Sequence, residues 1–306
     1  MSQPIKKAMR GLLPAMLLMA FTQVLAQVDA PPNQGVVTLD YAIAETLQAL
    51  GEPPQAVGGL SGYRVWLRDS QALPNAIELG SRHLPNLELI HSIEPAQILI
   101  SPPAHANLTP QLGRLAPLKE WVVYEAAPLL QQRLSTLTMQ LGELTGDQAR
   151  ANDYLIEVAA QFEALAEQLS SRRGSVKPVV LVSLMDERHA RVFGQGSLEG
   201  LVLEQLGIDN AWEGAVNRWG FATVTIEQLF GLEGCVIMLE SPYSPEGTQH
   251  NLLEQGIWQH WPALTKQQAT TVAVNYWHWG GWPSALRFAE SLVEVLDVST
   301  ADSLER

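Results

Sequence analysis

Short hydrophobic runs and longer amphipathic stretches alternate along this chain, a pattern typical of an α/β fold. From Val36, the run VVTLD precedes the helical pattern YAIAETLQALG, and AQILIS and WVVYEA are further predicted strands after the helix PNLELIHSIE. A second series contains VVLVSLM, SLEGLVLEQLG, TIEQLFGL, CVIMLE, TTVAVNYW and PSALRFAESLVEVL. Each series has its own strands and helices, so the sequence predicts two α/β lobes.

The most regular pattern lies between the two series, from about residue 147 to residue 173. Apolar residues recur there every three or four positions, on one helical face: Ala151, Leu155, Val158, Phe162, Leu165 and Leu169. We predict one long rigid helix (146–174) joining an N-terminal lobe (27–145) to a C-terminal lobe (175–298), before a polar tail (299–306). A ligand is expected in the shallow cleft between the lobes, with a small closure on binding because the connection is stiff.

The first 26 residues have the order of a secretory signal peptide. Three basic residues precede an apolar run from Gly11 to Phe21, and VLA at 24–26 has the small residues of a cleavage site. The run is shorter than the roughly 20 apolar residues that span a bilayer. We therefore expect cleavage after residue 26 and a protein of the periplasm, which is no lipoprotein because no Cys stands at the cleavage point.

Composition and charge exclude several kinds of partner and site. The net charge of −13 argues against nucleic acid as a partner. Cys235 is the only cysteine, so no internal disulfide forms, and its place in CVIML predicts a buried structural thiol. The seven histidines form no compact ligand motif such as HExxH, so no metal held by the protein is expected.

Tryptophans mark the candidate binding site. The chain has nine, and the most informative are Trp66 in YRVWLRD, Trp219 in NRWG, and Trp277 and Trp279 in NYWHWGGW. Core packing is the usual reason for any single Trp. The last segment, however, runs from a predicted strand into two glycines, and α/β folds place ligands at the open ends of strands. We therefore interpret these rings as walls of a ligand pocket.

Several segments, in this order, resemble the periplasmic solute-binding proteins that serve ABC importers of iron siderophores and vitamin B12. PNLELIHSIEPAQILI is similar to a helix, Pro and buried-strand motif of that family. A narrower similarity to its ferric-hydroxamate-binding members rests on YRVWL, LGSRHLPNLELI, DERHARVFGQGSL, LGIDNAWEG and NRWG. The resemblance implies a monomer without enzymatic activity or cofactor. Its ligand would be a ferric siderophore of the hydroxamate type, delivered to an inner-membrane ABC permease with its ATPase.

The same resemblance implies roles for single residues. Arg82 occupies the place of an arginine that hydrogen-bonds the hydroxamate oxygens, for which a planar, permanently charged fork is well suited. The alternative is an ion pair of Arg82 with Glu78 or Glu88. Where the relatives have a tyrosine, this chain has SPPAHANL, so either His105 supplies that donor or the pocket takes a differently shaped complex.

Further residues follow from the resemblance with less support from the sequence itself. Arg68 and Arg218 are secondary ligand candidates if the complex is anionic. Glu227 matches an acid of the C-terminal lobe that docks into the permease, although an acid in a helix's first turn is also favoured by the helix dipole. On the N-terminal lobe Gln111 stands near the corresponding place, so either docking is asymmetric or another acid such as Glu120 serves.

Other functions stay open at this point. The ligand could be a citrate-hydroxamate or catecholate iron complex, haem or cobalamin, although a catecholate is strongly anionic and one clear arginine is few for it. A periplasmic hydrolase would use Ser183, Asp186 and His189. These three are close in sequence and lack a GxSxG motif, which argues against catalysis.

Overall fold

The computed structural model describes residues 35–125, 129–172, 177–244, 253–254, 257–265 and 269–304. The predicted signal peptide lies outside these residues. All of them belong to one compact unit of the chain, residues 34–306. Among the described helices, none is long and apolar enough to cross a membrane.

The first sheet is parallel and has its earliest strand in the centre. Its strand order is β3-β2-β1-β6-β7, with bounds β1 Val36–Thr38, β2 Ala56–Val57, β3 Ile77–Glu78, β6 Gln97–Ile100 and β7 Leu118–Glu120. In the register, Val37 lies beside Ala56 on one side and Ile98 on the other. Because the chain leaves β1 first in one direction and later in the other, the switch point of this sheet lies between β1 and β6.

Short capped helices connect these strands. They are α1 Tyr41–Ala49, α2 Leu60–Trp66, α3 Leu87–Ile93 and α4 Thr109–Leu112, which a 3-10 turn at Ala106–Leu108 precedes. The side chain of Asp40 accepts the Ile43 N–H at 3.2 Å and so begins α1, and Asn86 accepts the Leu89 N–H at 2.9 Å to begin α3. Between β3 and α3, β4 (Gly80–Ser81) and β5 (Leu84–Pro85) form a separate hairpin.

The second sheet is mixed. Its order is β10-β9-β8-β11-β12, with bounds β8 Val179–Leu184, β9 His189–Phe193, β10 Phe221–Thr225, β11 Cys235–Glu240 and β12 Ala269–Ala273. Strands β8, β11 and β12 are parallel to one another, whereas β9 is antiparallel to both of its neighbours, β8 and β10. Its helices are α7 Leu198–Gln205, α8 Ile226–Leu229, α9 Pro262–Thr265 and α10 Trp282–Leu304, with a 3-10 turn at Trp258–His260.

Two long helices lie between the sheets in the sequence. Helix α5 spans Leu130–Thr145 and α6 spans Gln148–Arg172, about 37 Å at 1.5 Å per residue. Gly142 lets them pack closely, because a Cβ there would lie 2.4 Å from the Cβ of Ala151. The predicted apolar face of α6 is confirmed. Four of its six residues are buried in one core cluster with side chains of α1, α5, α7, α10 and the second sheet, and Leu155 and Leu165 are partly buried and pack against that cluster.

Some local predictions were wrong. WVVYEA is not a strand: β7 ends at Glu120, and Val123 and Tyr124 are apolar because they enter the core. Cys235 is only partly buried at the start of β11. Helix α10 continues to Leu304, so it includes most of the segment 299–306, whose assignment as a polar tail stays a prediction. The exact lobe boundaries stay a prediction.

Candidate functional site

A pocket of about 300 Å³ lies at the carboxyl ends of the central strands of the first sheet. Asp40 follows β1 and Ser101 follows β6, the two strands of the switch point. The second half of the chain closes the pocket with aromatic rings. The full lining comprises Asp40, Arg82, His83, Ser101, Ala104, Tyr124, Trp219, Phe221, Trp277 and Trp279. Four of the six predicted ligand-binding residues are therefore brought together here: Arg82, Trp219, Trp277 and Trp279.

A hairpin turn presents Arg82 to the pocket. Arg82 and His83 connect β4 to β5, and the hairpin lies close to the segment that begins α2. A Cβ on Gly58 would lie 3.1 Å from the Cα of Arg82 and 2.6 Å from the Leu39 side chain, so the absence of a side chain at Gly58 permits this approach. The position of Arg82 is thus fixed by backbone packing.

The guanidinium of Arg82 lies against two aromatic rings. It is 4.7 Å from the ring centre of Tyr41 and 5.2 Å from that of Trp277, which is cation–π geometry. Its buried Nε has no hydrogen-bond partner among the described residues, and none of their carboxylates lies within ion-pair distance of Arg82. A buried donor nitrogen without an acceptor is costly, so the Arg82 Nε is suited to a ligand that brings oxygens.

The alternative role for Arg82, an ion pair with Glu78, does not occur. The Glu78 carboxylate accepts the backbone N–H groups of Leu60 (3.1 Å), Ser61 (2.6 Å) and Gly80 (3.0 Å). Glu78 therefore binds the amino end of α2 and the start of the hairpin. Glu88, the other candidate, is exposed in the first turn of α3.

The aromatic wall is a set of rings packed edge to face. Trp277 and Trp279 have ring centres 4.9 Å apart with an angle of 73°, and Trp219 lies 5.8 Å from Trp279 at 70°. Trp277 is 8% exposed, whereas Trp219 and Trp279 are half-buried. The backbone N–H of Trp277 donates to Ser284 Oγ at 3.1 Å, which ties the segment to the start of α10.

Trp66 lies behind this wall and does not line the pocket. Its ring centre is 5.1 Å from Trp277, 5.3 Å from His278 and 5.4 Å from Tyr243. The end of α2 faces the second lobe, where Arg68 Nε also donates to the Val274 carbonyl at 3.0 Å. In this structure Trp66 therefore supports the wall from behind, and Arg68 joins the lobes.

His105 lies beneath the pocket and has no exposed surface. Its ring is 5.8 Å from that of His83, and neither nitrogen makes a well-formed hydrogen bond among the described residues, although the Ser101 backbone is near. Burial, with the positive charge of Arg82 and the neighbouring His83, lowers the pKa of His105 to about 3. The ring is thus neutral, and it is not part of the pocket lining.

The sequence analysis missed several lining residues, among them Asp40 and Tyr124. Asp40 is 7% exposed; burial raises the pKa of its carboxyl, and the charge of Arg82 opposes that rise. Tyr124 donates its hydroxyl to the Gly280 carbonyl at 2.6 Å. Burial raises the pKa of Tyr124 well above its usual value, and the carboxylates of Glu199, Glu45 and Asp40 add to the effect.

The remaining candidates lie away from the pocket lining. Arg218 is exposed in the loop before β10. Asp186 and His189 contact each other at 3.0 Å within the β8–β9 turn, whereas Ser183 lies in β8 and pairs with Arg191. Among the described residues, no cluster of His, Cys, Asp and Glu side chains is placed to hold a metal ion.

The docking candidates are both exposed acids. Glu227 lies in the first turn of α8, where a hydrogen bond from the Thr225 side chain is the main cause that lowers the pKa of Glu227. Glu120, at the end of β7, accepts a hydrogen bond from the Thr109 hydroxyl at 2.5 Å. Thr109 begins α4, the helix that carries Gln111, so the Glu120 carboxylate lies beside the start of this helix.

Comparison with known proteins identifies the family. Residues 36–275 match the family described as periplasmic binding protein. The Iron(3+)-hydroxamate-binding protein FhuD of Escherichia coli (strain K12) is 30% identical over 296 residues, which cover 94% of this chain and 95% of that protein. The achromobactin-binding periplasmic protein of Dickeya dadantii (strain 3937) is 28% identical over 262 residues, 81% of each.

A solved structure gives the same result for the fold. The siderophore binding protein FhuD from Vibrio cholerae, with Fe3+ and Desferal bound, superimposes with a TM-score of 0.80 and 25% identity. The match covers 88% of this chain and 99% of that one. With two α/β lobes, a long helix between them and a family match over most of its length, this chain belongs to the periplasmic binding protein family.

Proposed function

We propose that this protein binds a ferric hydroxamate siderophore in the periplasm and delivers it to an inner-membrane ABC permease. The observation that carries the proposal is the half-buried side chain of Arg82 at the pocket wall, whose buried Nε lacks an acceptor among the described residues. Siderophore oxygens that already hold the iron supply such an acceptor without any metal ligand from the protein. The similarity to FhuD of E. coli, named for binding iron(3+)-hydroxamate, supports the same ligand.

The pocket divides the recognition between polar and aromatic groups. Arg82 donates hydrogen bonds to the oxygens around the iron, while Trp219, Trp277 and Trp279 contact the organic backbone of the siderophore. Flat rings provide a large contact area and lose little side-chain entropy on binding. Trp66 and His105 act indirectly: the first packs behind Trp277, and the second fills the space below Arg82. The iron leaves with its siderophore, so no catalytic step is required.

Delivery requires contact with the permease, and we propose one exposed acid for each lobe. Glu227 at the start of α8 and Glu120 at the end of β7 present carboxylates to solvent. Interfacial charge pairs of this kind mainly guide orientation and association. We further propose that the protein acts as a monomer, since each copy contains a complete pocket.

A ferric citrate-hydroxamate or another carboxylate siderophore is the second candidate. It is favoured by the similarity to the achromobactin-binding protein. Arg82 is the one arginine or lysine in the lining, which is few for a strongly anionic complex. The hydroxamate ligand is therefore the better fit.

Titration of intrinsic fluorescence tests the proposal. Tryptophans 219, 277 and 279 line the pocket, so a bound complex that absorbs in the near ultraviolet should quench a large part of the emission. We expect saturable quenching by a ferric trihydroxamate, weaker quenching by its iron-free form, and weaker or no saturation with a ferric catecholate or haem. Preferential binding of haem or catecholate would contradict the proposed function.

A further inference from the structure

We propose that Asp40 is a specificity-determining residue that selects the net charge of the iron complex. This inference rests on the proposed function and narrows its ligand to ferric hydroxamate complexes without net negative charge. Asp40 lines the pocket directly at the end of β1 and is 7% exposed. A polyanionic complex that occupies the pocket would bring like charge close to this carboxylate.

The charges that line the pocket cancel. Arg82 contributes one positive charge and Asp40 one negative charge, and the other side chains of the lining carry none at neutral pH. Burial, assisted by Arg82, lowers the pKa of His83, so its imidazole is neutral there. Burial likewise keeps the Tyr124 hydroxyl protonated. A ferric trihydroxamate is also uncharged, because three hydroxamate groups balance the iron.

Two further acids are buried behind the residues that line the pocket. Glu45 and Glu199 are 3% and 0% exposed, and both act electrostatically on Tyr124, which lines the pocket. Glu45 accepts hydrogen bonds from the backbone of Gly281 and from Ser284 Oγ, the latter at 2.8 Å. Glu199 contacts the ring of His278 and accepts the Tyr276 hydroxyl at 3.0 Å. A negative charge on these carboxyls further disfavours an anionic ligand in a poorly solvated site. Burial raises the pKa of Glu45 to about 7, so Glu45 is only partly ionised at neutral pH.

Helix capping alone does not require a charge at Asp40. Its Oδ1 accepts the Ile43 N–H at 3.2 Å, and Asn or Ser caps a helix about as well as Asp. Burial raises the pKa of Asp40, whereas the charge of Arg82 and the backbone N–H groups at the amino end of α1 oppose that rise and favour the ionised carboxylate. Capping therefore does not explain why this position carries a negative charge. A negative charge in the pocket repels an anionic ligand, and such repulsion is an efficient way to reject the wrong ligand.

The test compares Asp40→Asn with the unmodified protein. Asn keeps the cap acceptor and removes the charge, and Asp40→Ser does the same if the first variant folds poorly. Dissociation constants are measured by calorimetry for an uncharged ferric trihydroxamate and for two anionic probes, a ferric tris-catecholate and a ferric citrate-hydroxamate. We expect the preference for the uncharged complex over each anionic one to fall by about tenfold in Asp40→Asn.

Asp147→Asn is the matched control. Asp147 is an exposed acid that accepts the Arg150 N–H at 2.9 Å at the start of α6, so it has the same capping role outside the pocket lining. Its substitution should leave the preference unchanged. An unchanged preference in Asp40→Asn, or an equal change in Asp147→Asn, would overturn the proposal. Failure of the unmodified protein to bind any ferric hydroxamate would instead refute the proposed function.

Discussion

Replacement of Arg82 by Ala should weaken the binding of a ferric hydroxamate by about 2–4 kcal/mol, a loss of roughly 30-fold to 1000-fold. A hydrogen bond to a charged group contributes about 1.5–3 kcal/mol, and ligand oxygens that lose the guanidinium would stay buried without a donor. Folding should change little. The lost cation–π contacts with Tyr41 and Trp277 are offset by removal of a buried Nε that has no partner among the described residues.

Calorimetric titration of the variant with a ferric trihydroxamate measures this loss, and thermal unfolding checks the fold. Arg82→Lys should recover only part of the affinity, because Lys keeps the charge but not the planar fork. Arg114→Ala is a suitable control, since Arg114 is exposed beyond α4 and outside the pocket lining. Unmodified affinity in both Arg82→Ala and Arg114→Ala would refute the assignment of Arg82 to the ligand.

Three further predictions concern other parts of the protein. Trp279→Phe should retain most of the affinity and Trp279→Ala should lose about 1–3 kcal/mol, because ring area is what the ligand uses; equal affinities would exclude this ring from the site. Glu227→Ala should leave ligand affinity intact and reduce uptake through the cognate permease, and normal uptake would argue against docking at Glu227. Burial raises the pKa of Glu45 from 4.5 to about 7, so the folded protein retains a proton that the unfolded chain releases, and stability should fall as pH rises between these values. Glu45→Gln should remove this contribution, about 3 kcal/mol. Urea unfolding at pH 5 and pH 8 should then show a smaller change in the free energy of unfolding than in the unmodified protein.

Most of the fold could be predicted because its signals are local. The apolar face of α6 repeats strictly, and its observed span of Gln148–Arg172 lies within two residues of the prediction at each end. The prediction of a strand at 121–125 was wrong for a non-local reason. Val123 and Tyr124 are apolar because they enter a core built from distant helices, which a strand pattern does not distinguish.

The candidate site was only partly predictable for a similar reason. Resemblance to a family shows which position of the chain corresponds to a site residue. Whether the side chain at that position points into the pocket depends on how the surrounding elements pack. Trp66 ends a helix and packs behind Trp277, and His105 is buried outside the pocket lining. Asp40 and Ser101 had a usable signal, since both follow strands that meet at the switch point of a parallel sheet.

The position of the iron is the most direct test of the central claim. Crystals of the protein with a bound ferric trihydroxamate would be measured at the iron absorption edge, where the anomalous signal locates the metal without reference to the ligand's shape. The account predicts one strong peak in the pocket between Arg82 and the rings of Trp219, Trp277 and Trp279. A fully occupied iron peak elsewhere on the protein, or a ligand whose oxygens face away from Arg82, would contradict it.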